Sequence, residues 1–215
     1  MIDVDHGLEQ ARHALPIFPL PRSVLLPGAM LPLHVFEPRY RALVAHCRDG
    51  WELMGIATLK PGYEANYEGR PEVFPEVGIG RIVAFQPLPD GRSNILLQYV
   101  GRGSIVRELP SEHPFREVEV ELRQTRPPRD ATVYDEVRAL VAAIGGLSDA
   151  AREEAVRLAR LEGSELLDTL ARKLLQTPDD QRVYLGEDAI ERRGQQIVGA
   201  LGELLASATA SSGEA

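Results

Sequence analysis

The chain has 215 residues, 44% hydrophobic and 26% charged, with a net charge of −8, which describes a folded, water-soluble protein of one or two domains and excludes disordered, collagen-like and membrane classes. No apolar run approaches the roughly 20 residues a bilayer helix needs, the opening MIDVDHGLEQARHAL has acids where a secretory leader needs positive charge, and the lone Cys47 cannot form an internal disulfide. A reducing, cytoplasmic location is therefore expected, and because residues 14–126 balance 13 basic against 13 acidic side chains while 127–215 carry 10 against 16, no region has the positive excess of a nucleic-acid surface.

Residues 1–13 read as a flexible N-terminus. From Leu15 to Thr125 proline and glycine punctuate short aliphatic runs, as strands and turns require. LPIFPL (15–20) and MLPLHVF (30–36) are expected strands. A helix follows, with Pro38 at its first position, Tyr40, Leu43, Val44 and Cys47 on one face, and Gly50 at its end. ELMGIATL (52–59), VGIGRIVAFQPL (77–88), RSNILLQYVG (92–101), SIVREL (104–109) and FREVEVELRQT (115–125) complete the strands. Asp90-Gly91 between the second and third of these marks a hairpin. RPPRD (126–130) reads as a linker. Beyond it helical periodicity takes over: a stripe of Val133, Val137, Leu140, Val141 and Ile144, a second helix capped by Ser148, a third carrying Leu166, Leu167, Leu170 and Leu174, and a short fourth opened by Thr177-Pro178. A last helix carries Ile190, Ile197, Val198, Leu201 and Leu205, and residues 207–215 read as a disordered tail.

The search for chemistry returns little. Only Lys60 and Lys173 are lysines, and neither stands in a GxxxxGK[ST] phosphate loop. GIGRIV (78–83) and GRGSIV (101–106) lack the third glycine of a dinucleotide fingerprint and lead into strands. Cys47, beside His46 and with His34 as another possible base, falls on the apolar stripe of its helix and reads as core. The five histidines never pair at metal-ligand spacing, and no nucleophile elbow exists. Glu37, just before Pro38, reads as a charge at the helix start, with catalysis the weaker alternative. No catalytic, cofactor-binding or metal residue is assigned. What remains is the long segment KPGYEANYEGRPEVFPE (60–76), whose Tyr63, Tyr67 and Phe74 are expected either to meet a partner or merely to pin the loop to the strands.

Two runs carry a resemblance. LPIFPLPRSVLLPGAMLPLHVFEPRYRALV (15–44) and LPDGRSNILLQYVGRGSIVREL (88–109) resemble the N-terminal domain family of Lon proteases, in a form without the ATPase and peptidase modules. The resemblance implies an α+β fold: a PUA-like twisted β-barrel with one inserted helix over 14–125, the linker, then a helical bundle over 131–206. It also implies a non-catalytic protein-binding module that recognises exposed or unfolded polypeptide segments or a protein partner; no cofactor and no membrane contact are expected. RNA binding, which PUA-like barrels perform elsewhere, is the first alternative and is disfavoured by charge. A small-molecule or cryptic hydrolytic site is the second.

Overall fold

The structure, a computed structural model, describes residues 4–212, with side chains described through residue 208. Residues 1–3 of the expected flexible N-terminus and 213–215 of the expected tail lie outside the described residues. The described chain divides into two compact units, residues 1–124 and 125–215. The first holds α1 (Val4–Ala11), β1 (Leu15–Leu20), β2 (Met30–Val35), α2 (Pro38–Asp49), β3 (Leu53–Leu59), a short 3-10 turn (Tyr63–Asn66), β4 (Val73–Pro87), β5 (Ser93–Glu108) and β6 (Arg116–Leu122).

The six strands form one mixed sheet in the order β2-β5-β4-β3-β1-β6, with an additional pairing of β5 with β6. β1 runs parallel to β3, with Ile17 opposite Gly55, and antiparallel to β6, with Leu15 opposite Val118. A parallel neighbour needs a crossover, and β2 with α2 supplies it. The barrel expected from the sequence is thus replaced by a six-stranded sheet that is not a clean barrel: β2 stays on an edge, paired to β5 alone, and carries Pro32, which an edge tolerates.

β4 and β5 turn through Asp90-Gly91, where Gly91 has φ +78°, its N–H donates to the Leu88 carbonyl at 3.0 Å, and Leu88 N–H donates to Arg92 O at 2.8 Å. α2 buries Tyr40, Leu43, Val44 and Cys47 against Phe18, Met54, Ile56 and Leu97. A second cluster, with Leu15, Ile17, Val77, Ile79 and Val118, packs elsewhere in the same unit. Gly78 permits the close approach of the 20s loop, because a Cβ there would collide with the Leu25 carbonyl oxygen.

Three expectations change. Val4–Ala11, inside the stretch read as flexible, form α1, which sets buried Gly7 against the Trp51 ring. The strands read as 92–101 and 104–109 are one strand, β5, because Gly101 and Gly103 sit within the ladder, opposite Ile79 and Val77. β4 begins at Val73, so Phe74 belongs to a strand.

The second unit contains α3 (Thr132–Gly145), α4 (Asp149–Leu158), α5 (Gly163–Leu174), α6 (Pro178–Gly186) and α7 (Ile190–Ser212). α7 continues past residue 206, where the sequence reading ended the helical region. Ser148 Oγ accepts from Ala151 N–H and Thr177 Oγ1 from Asp180 N–H, so both cap residues act as their type predicts. The stretch read as a linker is tied into this unit: Arg126 bridges Ala189, and Arg129 N–H donates to Glu191 Oε1 at 2.9 Å. Gly194 on α7 faces Val133 on α3 so closely that any side chain would overlap a Val133 methyl.

Candidate functional site

Residues 60–72, the long connection between the neighbouring strands β3 and β4, form a strap that lines one side of a pocket of about 230 Å³. Its floor is apolar: Tyr40 from α2, Phe115, Leu59 from β3 and Pro19 from β1, each buried. Its roof is Tyr67, Glu68, Gly69, Arg70 and Pro71. Arg39 and Arg116 line the walls. A space of this size lies below the roughly 300–1,000 Å³ of ordinary small-molecule sites and suits a single large side chain.

Two polar knots hold the strap. In the first, the Tyr67 hydroxyl donates to Glu37 Oε1 at 2.9 Å, Arg39 Nε donates to Glu37 Oε2 at 3.0 Å, and Arg39 Nη1 donates to the Tyr67 carbonyl at 3.1 Å. The Arg39 guanidinium lies 4.7 Å from the Tyr40 ring centre and 5.0 Å from that of Tyr67, within cation–π range. Burial, helped by the hydrogen bond to Glu37, pushes the Tyr67 phenol above its ordinary value, so it remains a donor at neutral pH. Burial also pushes the Tyr40 hydroxyl up to about 12. In the second knot Arg116 clasps Glu108 at two points, 3.1 and 2.7 Å, and its Nη1 donates to the Pro71 carbonyl at 2.8 Å. Arg70 Nη1 adds a donor to the same Glu108 oxygen at 3.1 Å.

Of the three aromatic residues read from the sequence as partner-binding, the structure brings two together. Tyr67 lines the pocket, and the Tyr63 ring meets it edge-on with centres 6.2 Å apart. Phe74 is half-buried on β4 and does not line the pocket. Tyr67 pins the strap through Glu37 and also lines the cavity.

Glu37 makes no capping hydrogen bond at the start of α2; its carboxylate is spent on Arg39 and Tyr67 instead. Cys47 is 3% exposed, and burial, with the nearby Glu117 charge, pushes its thiol up to about 12, so no thiolate forms at neutral pH. His34 Nδ1 lies 2.7 Å from Asn94 Oδ1 on the exposed end of β2. His46 packs with His113 and Phe115, ring centres 4.9 and 5.2 Å away. Among the described residues no group of three or more His, Cys, Asp or Glu side chains could hold a metal ion, and no helix is long and apolar enough to cross a membrane. Sequence reasoning missed Arg39, Arg70, Arg116 and Phe115. They come from three places along the chain, and no spacing rule links them.

Residues 14–200 match the family described as the ATP-dependent protease La (LON) substrate-binding domain. The chain is 27% identical over 139 residues to the Lon protease of Anaeromyxobacter dehalogenans, covering 65% of this chain and 16% of that protein. It is 27% identical over 149 residues to the Lon protease of Parabacteroides distasonis, covering 68% and 17%. It therefore spans about a sixth of the length of these relatives. Among solved structures, a Lon N-terminal domain protein from Xanthomonas campestris superposes with a TM-score of 0.64 at 25% identity, over 86% of this chain and 97% of that one. The N-terminal domain of a Mycobacterium avium complex Lon protease gives 0.62 at 19% identity, over 88% and 98%, a likeness of fold alone. A family match over so much of the chain, joined to this likeness of architecture, means that the chain belongs to the LON substrate-binding domain family.

Proposed function

We propose that this chain is a non-catalytic polypeptide-binding module that recognises exposed or unfolded segments, and that the pocket beneath the strap is where a segment places an anchoring side chain. The observation that carries this reading is the pocket with an apolar floor of Tyr40, Phe115, Leu59 and Pro19 beneath the strap, inside the region matched to a substrate-binding family. Aromatic walls supply contact area at small entropy cost. The pairing of β6 with both β1 and β5 supports the finer description of the sheet as PUA-like, and five successive helices support that of the second unit as a bundle. The proposed domain limits are 14–125 and 131–206, in the cytoplasm.

RNA is the weaker partner because residues 14–126 carry as many acidic as basic side chains and no region of the chain has a basic excess. The test compares a reduced, unfolded model protein with a single-stranded RNA of similar length by fluorescence anisotropy, at low and raised salt. Protein binding with dissociation constants on the order of micromolar or weaker, surviving salt, is expected, since ordering a flexible chain opposes association. Replacing Tyr63, Tyr67 and Phe74 together by Ala should weaken it while circular dichroism stays native. Tighter, strongly salt-dependent RNA binding would overturn the reading. Purified protein should neither hydrolyse ATP nor cleave casein; turnover abolished by mutating a residue of this chain would end the non-catalytic claim.

A further inference from the structure

We propose that the pocket reads a carboxylate: it takes one apolar side chain on its floor and an adjoining carboxylate against Arg70, with Arg39 as the second cation. This rests on the polypeptide-binding reading and names the chemistry that reading leaves open. The argument begins with the unequal state of the three guanidinium groups. Arg116, 11% exposed, is spent: Glu108 takes two of its nitrogens and the Pro71 carbonyl the third. Arg70, 51% exposed, is a second cation on that same carboxylate, touching only the oxygen that Arg116 Nε already holds. Two cations on one anion leave a positive surplus at the mouth, and an exposed pair such as Arg70 with Glu108 contributes little, so Arg70 can turn to a new anion at small cost.

Arg39 adds positive charge to the wall rather than a free donor, since its buried Nη2 is ion-paired with Glu37 Oε2 at 2.8 Å. The exposed Arg70 guanidinium is the one a carboxylate can reach, and it matches that group in geometry as well as in charge. The floor then selects what the carboxylate is attached to, because Tyr40 and Phe115 are apolar and 5% and 3% exposed, and a bare inorganic anion would leave them uncovered. Opposing this, Glu68 is the one carboxylate among the lining residues, exposed on the strap. Removing its charge should therefore favour the ligand.

A carboxylate beside an apolar side chain has two sources, the last residue of a chain or an internal Asp or Glu next to an apolar residue. The experiment uses the full chain and dye-labelled hexapeptides by anisotropy: one ending in Leu with a free carboxylate, the same peptide amidated, and an amidated peptide with internal Glu-Leu. We expect the free acid to bind about fivefold more tightly than the plain amide at low salt, the scale of one charge-assisted contact at a partly exposed site. Arg70→Ala should erase that difference, Glu68→Gln should widen it, and Arg92→Ala, the same charge change on the β4–β5 hairpin, should leave it. If the internal Glu-Leu peptide matches the free acid, the carboxylate reading stands with a side-chain source. Equal binding of all three peptides, or an Arg70→Ala variant that still discriminates, overturns it. Should the peptides fail while the unfolded protein still binds, only this inference falls; should neither bind, the polypeptide reading falls with it.

Discussion

Each of the two units contains a tyrosine–carboxylate–arginine trio, in different surroundings. Under the strap, Tyr67 donates to Glu37 at 2.9 Å, Arg39 pairs with Glu37 at 2.8 Å, and its guanidinium lies 5.0 Å from the Tyr67 ring. In the helical unit, Tyr184 donates to Asp168 at 2.7 Å, Arg193 lies 3.7 Å from the same carboxylate, and its guanidinium is 5.1 Å from the Tyr184 ring. Arg39 and Glu37 are each 18% exposed; Arg193 is 1% exposed, and its Nη2 finds no hydrogen-bond partner. Identical chemistry thus serves as a latch at a surface pocket and as an internal strut joining α5, α6 and α7. Burial, not composition, separates the two roles, because removing one member of a buried trio strands a charge that water cannot reach.

The sharpest test of that contrast removes the carboxylate from each. Asp168→Ala should cost about 3–5 kcal/mol and Glu37→Ala about 1 kcal/mol, the difference expected between a stranded buried cation and one that solvent can rescue. Trp51, the single tryptophan, reports on the first unit, and circular dichroism at 222 nm chiefly on the helices, so urea unfolding followed by both probes assigns each loss. Equal losses would break the contrast.

Cys47 asks what burial does without a partner. Cys47→Ser should destabilise by about 1–3 kcal/mol and leave polypeptide binding unchanged, since a hydroxyl replaces a small hydrophobe in the core. Its pH dependence has a definite sign. The thiol, ordinarily near 9.0, is raised to about 12 in the fold, so the stability owed to its neutral form is complete below about 9 and is lost as pH climbs toward 12. The parent should therefore converge on the Ser variant across that window in denaturation series. Divergence instead would mean the thiol is not buried.

Smaller effects should follow from hydrogen bonds at the helix starts. Ser148→Ala and Thr177→Ala should each cost about 1 kcal/mol and register in the helical signal only. Least of all, Tyr67→Phe should lower stability by about 0.5–1 kcal/mol, the net worth of one hydrogen bond, yet hasten tryptic cleavage at Lys60 or Arg70. Unchanged cleavage would show that Arg39 and Arg116 hold the strap without it.

The elements with strong local signals were legible from sequence. Pro38 and the Tyr40–Cys47 stripe, Asp90-Gly91, Ser148 and Thr177-Pro178 each act within a few residues of themselves, and each is where local chemistry puts it. α1 was not legible: at eight residues it is too short to be helical alone, and it is held by Trp51 and by Leu8 packing on Gly101, contacts that a window of sequence does not contain. Gly101 and Gly103 looked like turn residues because glycine serves both tight turns and close approaches; here Leu8 and the Glu121 carbonyl crowd them within a continuous strand. For the site, the aromatic strap was visible and Tyr67 does line the cavity, but its walls were not. Arg39 comes from α2, Arg70 from the strap and Arg116 from β6, where it stands opposite Ile17 of β1, so their convergence depends on the fold of the whole unit.

The strap is also held in an economical way. Arg39 grips it at the Tyr67 carbonyl and Arg116 at the Pro71 carbonyl, so both tethers end on main-chain oxygens that every residue possesses. Its position is therefore nearly independent of which side chains it carries at 64, 65 and 68, all of which face solvent. Mutation there can rewrite the strap's outer face, and at 68 the pocket lining, without moving the strap, much as a frame holds successive pictures. Libraries varied at these three positions should consequently keep the parent's melting temperature while spreading in what they bind, making this segment a natural place to alter selectivity.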